Sequence, residues 1–242
     1  MEQFFEQLTA EEKAIWAGIH QGEFTRHIRA HGVDRELYVA MMTEIFHYTK
    51  HNAQNQALAA LRLDSERLPL LKYCLHHAYS EAGHDRMVLE DLASIGVDPE
   101  SIKRSKPLPE TEAFVAYVYR VASERDATAR LGYSYWAENA YAYTGEFIQA
   151  VQRDLGLKPE QLSFFIEHSD IDVAHFNQVK RIIQQSCTTP ELRAGVVEVL
   201  CSTLHLTGLI MEAVYRKYRA GRAQQGMPLV EQRTPSAVVA RG

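Results

Sequence analysis

Apolar residues recur at intervals of three and four along most of the chain, and the strict alternation that marks a half-buried strand is nowhere sustained. That period predicts an all-α protein. Thr9 followed by Glu12 reads as a capping box opening a first helix to about Ile19, and residues 22–30 form a second, stopped by Gly32. Asp34 caps a long helix to about Leu63. Asp64 or Ser65, with Pro69 in the first turn, starts the next, which continues to Ser94 and ends at Gly96. Residues 97–109, rich in Pro, Lys and Ser, read as a loop. The helices on either side are too few for two separate cores, so residues 1–220 are expected to form one domain. Two more helices, 110–123 and 127–155, precede a break at 156–159. Residues 160–185 form a helix expected to bend or break near Ser169, and Thr189-Pro190 opens a last one to about Tyr218. Residues 221–242 lack periodicity and read as a disordered tail.

Composition then excludes several function classes. With 46% hydrophobic and 24% charged residues, the 242-residue chain has the mix of a soluble globular protein. Twenty-six basic against 31 acidic side chains leave a net charge of −5, which offers no field to hold a polyanion, so nucleic acid is not the expected partner. The longest apolar runs, such as residues 195–200, fall far short of the ~20 residues of a membrane span, and the acidic start Met1-Glu2-Gln3 is no signal peptide. A cytoplasmic protein without a membrane partner is expected. Cys74, Cys187 and Cys201, without CxxC spacing, fit reduced thiols.

The 11 histidines carry the chemistry, because many share a helical stripe with carboxylates. At about 100° per residue, His168, Asp172 and His175 fall within roughly a 60° arc, and so do His77, Glu81 and His84. Glu44, His47 and His51 form a third such arc. An exposed Glu-x-x-His pair is commonly a solvated coincidence, but several inward carboxylates and imidazoles need a shared partner, and a cation satisfies them together. Glu138 stands among Tyr133, Tyr135, Trp136, Tyr141 and Tyr143, surroundings too apolar for a solvated carboxylate. Without a metal, desolvation would leave it protonated. Helical bundles build dinuclear sites from such inward Glu and Glu/His sets. Oxygen and imidazole donors suit iron or manganese better than zinc.

The order Glu44, then Glu81 with His84, then Glu138, then His168-x3-Asp172-x2-His175 resembles the heme-oxygenase-like diiron oxidases, the metal-dependent branch of the superfamily that also holds TenA thiaminases and pyrroloquinoline quinone synthases. The resemblance spans about residues 34 to 215 and includes the segment from His84 to Gly96. It implies a heme-oxygenase-like bundle of seven to eight helices. It also implies Glu44, Glu81, His84, Glu138, His168, Asp172 and His175 as metal ligands, with Glu138 bridging and Glu138 and Tyr141 as catalytic residues. Two iron ions, or an iron–manganese pair, would activate O2 to oxidise a small organic substrate, in a protein expected to be a homodimer. The pattern departs from many members at Cys74 to His77, where they carry a glutamate; either Glu81 fills that role or His77 substitutes. The same fold also hosts cofactor-free oxidases, TenA-like pocket proteins and non-catalytic interaction proteins.

Overall fold

The computed structural model describes residues 1–226 and, of residues 167–173, the backbone alone. Among the described residues there are twelve α-helices, two short 3-10 turns and no strand. The all-α expectation holds, with more helices than seven or eight because the long predicted ones are interrupted. The helix expected from Asp34 to Leu63 divides into α3 (Arg35–Thr49) and α4 (Asn52–Ala60), after α1 (Glu2–His20) and α2 (Glu23–His31). Asp34 caps α3 as expected, accepting from the Leu37 amide at 2.9 Å, a contact that contributes about 1 kcal/mol. The next predicted helix divides into α5 (Leu68–Glu81) and α6 (His84–Ser94) at Gly83, whose φ of 105° favours glycine.

Asp98 caps a short α7 (Pro99–Arg104) inside the segment expected to be a loop, and α8 (Pro109–Glu124) follows. The helix expected over 127–155 is α9 (Leu131–Ala137) and α10 (Tyr141–Leu155), separated at 138–140. There the Asn139 and Ala140 amides bond three residues back, to Trp136 and Ala137, which tightens the turn and redirects the chain. By contrast, α11 (Ser163–Ser186) runs as one helix past Ser169, where a bend or break was expected, and is not broken there. The last helix, α12 (Pro190–Gln224), runs past Tyr218 into the segment expected to be a tail; residues 227–242 lie outside the described residues.

The first helix also starts well before Thr9. Thr9 is not a cap: its hydroxyl meets the Tyr135 hydroxyl at 3.1 Å, and Glu12 is completely buried.

The central element is α12, which packs on α1, α2, α3, α8 and α9. Among the described residues it is the one helix long and apolar enough to cross a membrane. The sequence expectation passed over it because residues such as Glu198 interrupt its apolar runs. Val196, Val199, Leu200, Leu204 and Ile210 bury its inner stripe, while Glu198 pairs with Arg125 at 2.7 Å outside, as a core helix of a bundle does. Gly132 lets α9 approach α12 closely, for a Cβ there would lie 2.1 Å from the Val196 carbonyl and 2.6 Å from the Leu200 amide. Trp136 donates to Thr203 at 2.7 Å one turn further on.

That close approach sets the direction of α9 and of the turn that follows it. Gly132→Ala is expected to destabilise the fold by about 1–3 kcal/mol, read from the urea midpoint at unchanged helix content. An unchanged midpoint would show that the two helices separate freely.

Candidate metal centre

Interrupted helices bring the ionisable residues together. Glu81 is the last residue of α5 and His84 the first of α6, on either side of the left-handed Gly83, while Glu138 occupies the turn between α9 and α10. His175 comes from α11 and His77 from one turn before Glu81. His77 Nε2 stands 2.7 Å from Glu138 Oε1, His175 Nδ1 3.4 Å from Glu138 Oε2, and His84 Nδ1 3.4 Å from Glu81 Oε2. Ligand atoms of His77, Glu81 and Glu138 all lie within 4.8 Å of one another. Asn52, the first residue of α4, donates to Glu81 Oε2 at 3.2 Å and accepts from the Tyr133 hydroxyl at 3.0 Å.

Burial and pairing compete in this cluster. Glu81 and Glu138 are 8% and 7% exposed. Burial pushes the Glu138 carboxyl up, but the hydrogen bonds and charge that His175 and His77 bring outweigh it and hold it down at about 2. This corrects the expectation that a metal-free Glu138 would sit protonated: the partners lie on α5 and α11, far from it in sequence. Burial likewise pushes Glu81 up, and the hydrogen bond to His84 with the charges of His77 and His84 brings it below its usual value. For His84, burial acts downward and the contact with Glu81 more than reverses it.

Two carboxylates and three imidazoles are an oxygen–nitrogen set of the kind that iron and manganese take, and the buried carboxylates gain from a cation. The residues present therefore fit iron.

Of the residues expected from the sequence, Glu81, His84, Glu138 and His175 converge. His77, weighed as a substitute, belongs with them, and its stripe with Glu81 and His84 was the signal for it. His168 and Asp172 lie outside the described residues. Glu44 does not join. Its carboxylate is buried against the start of α8, accepting from the Leu108 amide at 3.0 Å and the Thr111 hydroxyl at 2.6 Å. The rest of that arc faces the same way, with His47 at 2.8 Å from Ser105 Oγ and His51 at 3.2 Å from the Tyr119 hydroxyl. The helical arithmetic put these three on one face; the face looks at α8. Toward the cavity α3 presents Met41, Ile45, Tyr48 and Thr49 instead.

That cavity, of about 170 Å³, reaches from Glu81, His84 and Glu138 to His20 and Phe24 at the junction of α1 and α2. Tyr141 lines it, its hydroxyl donating to the Phe164 carbonyl at 3.2 Å. Behind the Glu138 turn, Asn139 Nδ2 bonds both oxygens of Glu12 at 3.1 Å, tying the turn to α1. Burial lifts the Glu12 carboxyl to about 7 against the Asn139 hydrogen bond. Sequence reasoning missed Glu12 because the capping-box spacing offered another role, and missed Asn52 because it stands apart from every histidine–carboxylate stripe.

The sequence pattern of the family described as iron-containing redox enzyme matches residues 39–208. A domain of unknown function with a heme oxygenase-like fold from Shewanella denitrificans OS217 is 38% identical, over 95% of this chain and 98% of that one, with a TM-score of 0.86. A TenA homologue from Pseudomonas syringae pv. tomato DC3000 is 12% identical, covering 88% and 93%, with a TM-score of 0.74. A CADD-like protein of unknown function from Nostoc punctiforme PCC 73102 is 16% identical, covering 90% and 99%, with a TM-score of 0.70. No functionally curated protein matches the sequence.

Two outcomes follow from the placements of Glu44 and Glu12. Glu44→Gln is expected to leave metal content within error of the parent while lowering the melting temperature; loss of metal would return Glu44 to the centre. Glu12 keeps its proton in the fold between about 4.5 and about 7, where the unfolded chain has lost it. Folding stability therefore falls as pH rises through that window, by up to about 1.4 kcal/mol per pH unit, and is level above it. Urea titrations of Glu12→Gln should lack this slope and show a protein at least as stable as the parent above pH 7. An unaltered slope would contradict the assignment.

Proposed function

This chain belongs to the iron-containing redox enzyme family, with the heme oxygenase-like fold, and we propose that it is a non-heme iron oxidoreductase that uses O2 to oxidise a small organic molecule. The observation that carries the reading is the buried histidine–carboxylate cluster opening onto an apolar cavity. In this proposal Glu138 would be the ligand common to two iron ions, or to an iron–manganese pair. Glu81, His84, His175 and His77 complete the holding set, together with His168 and Asp172 from the sequence resemblance. Bound ferrous iron supplies the electrons for O2 and the oxidising power applied to the substrate.

The protein's own groups do the rest. Asn52 fixes one oxygen of Glu81 and so leaves the other for the metal. Glu138, the cap at the end of α9 and tied to α1 through its neighbour Asn139, places its carboxylate between His77 and His175. Aromatic side chains, Tyr48, Tyr133, Trp136 and Tyr141 among them, line the cavity beside the cluster and lower the polarity around its charges, which strengthens their interactions. Tyr141 stands on the cavity wall as a group that can orient the substrate.

Protein purified without chelator from iron-supplied cells is expected to hold between one and two iron equivalents per chain and to consume O2 when given Fe(II). Glu138→Gln keeps the side chain's shape but gives up the charge a shared ligand needs, so iron affinity should fall about tenfold or more and O2 uptake should stop. The Gln variant also loses its ion pairs, so its melting temperature should drop with or without metal, and iron stoichiometry is the discriminating readout. Full iron content and full O2 uptake in the variant would move the shared position elsewhere; a parent that takes up no Fe(II) would sink the proposal.

A further inference from the structure

We propose a second metal site, separate from the cluster around Glu138, in which the imidazoles of His27 and His31 on α2 take one late first-row divalent ion, Zn(II), Ni(II) or Cu(II), with water completing its shell. The two residues are four apart on one helix, so their side chains share a stripe. Their ring centres lie 5.0 Å apart, with the ring planes at 38°. Two imidazoles at neighbouring positions on one ion, with Zn–N bonds of about 2.0–2.1 Å, place their ring centres at roughly that distance.

The pair is also chemically unfinished. His27 is only 4% exposed, yet among the described residues neither its Nε2 nor the buried Nδ1 of His31 has a hydrogen-bond partner. A buried nitrogen left in that state costs free energy, and an ion between the rings removes the cost for both. Burial, with the charges of His31, Arg222 and Arg219, holds His27 below its usual pKa against the pull of Asp34. It is therefore neutral at pH 7, the form that ligates. Its other nitrogen, Nδ1, lies 3.4 Å from the Tyr215 hydroxyl on α12. When Nδ1–H donates to that oxygen, Nε2 presents its lone pair and the ring is held in place, as the partners of metal-bound histidines do.

The charges nearby do not repel a cation. Arg222 is paired with Asp34 at 2.8 Å and Glu36 at 3.7 Å, and Arg219 with Glu23 at 3.5 Å. An imidazole pair suits zinc, nickel and copper, whereas magnesium and calcium take oxygen ligands. The ion would span one turn of a nine-residue helix whose Phe24, Thr25 and Ile28 line the cavity, and so stiffen one wall of it.

Zinc is the probe. The full chain and its variants are titrated with Zn(II) against a chromophoric chelator, with circular dichroism checking each fold. The parent should bind one equivalent more than His27→Phe or His31→Ala. Adding His31→Ala to Glu138→Gln should remove the same single equivalent, because the two sites are independent. Tyr215→Phe should keep the equivalent but hold it about tenfold more weakly. Anomalous diffraction at the zinc edge, from parent crystals soaked in Zn(II), should place an ion in contact with both rings. Equal zinc counts in the parent and a folded His31→Ala protein overturn the inference, and so does a count that His31→Ala lowers only while Glu138 is intact. Parent crystals with no zinc density touching both imidazoles overturn it whatever the variants do.

Discussion

Everything in this fold bends around the cost of burying ionised groups. Glu138 and Glu81 carry charge at positions less than a tenth exposed, and neither can be solvated there, so each must be met by groups from other helices. A regular helix sends side chains out along fixed directions, which limits how many from one segment can converge. Breaks in the helices remove that limit. The chain is broken beside Asn52, beside Glu81 and His84, and at Glu138, and each break sits where a side chain of the cluster has to be aimed.

Those breaks need support. Gly132 lets α9 lie against the backbone of α12, Trp136 bonds Thr203, and Asn139 reaches the buried Glu12 of α1. Together these contacts fix both sides of the Glu138 turn. The metal-free cluster is already partly neutralised within itself, as the low Glu138 and the raised His84 indicate. A metal ion would compete with protons for the same imidazoles, and the site accordingly joins iron affinity to pH.

Most of the architecture was legible in the sequence because helix period, caps and glycines are local signals. Asp34, Gly32 and Thr189-Pro190 stand at the helix ends they predicted. The interruption at residues 50–51 and the one at 138–140 contain neither glycine nor proline, and the second is held by contacts with distant α1, which no local pattern records. The same division runs through the site. Stripe arithmetic grouped His77, Glu81 and His84 and also grouped Glu44, His47 and His51, with equal force. Only the packing of α3 on α8 decides that the second group faces away from the cavity. A stripe tells which side chains share a face; it is silent on what the face meets.

The central claim is that a buried histidine–carboxylate cluster around Glu138 exists to hold iron. Anomalous diffraction across the iron absorption edge, from crystals of the full chain grown with Fe(II) under anaerobic conditions, tests it most directly. The account predicts iron-specific density in contact with Glu138 and bounded by Glu81, His84, His175 and His77, with none beside Glu44. Density at another place in the chain, or an iron-free cluster in crystals that hold iron elsewhere, would contradict it.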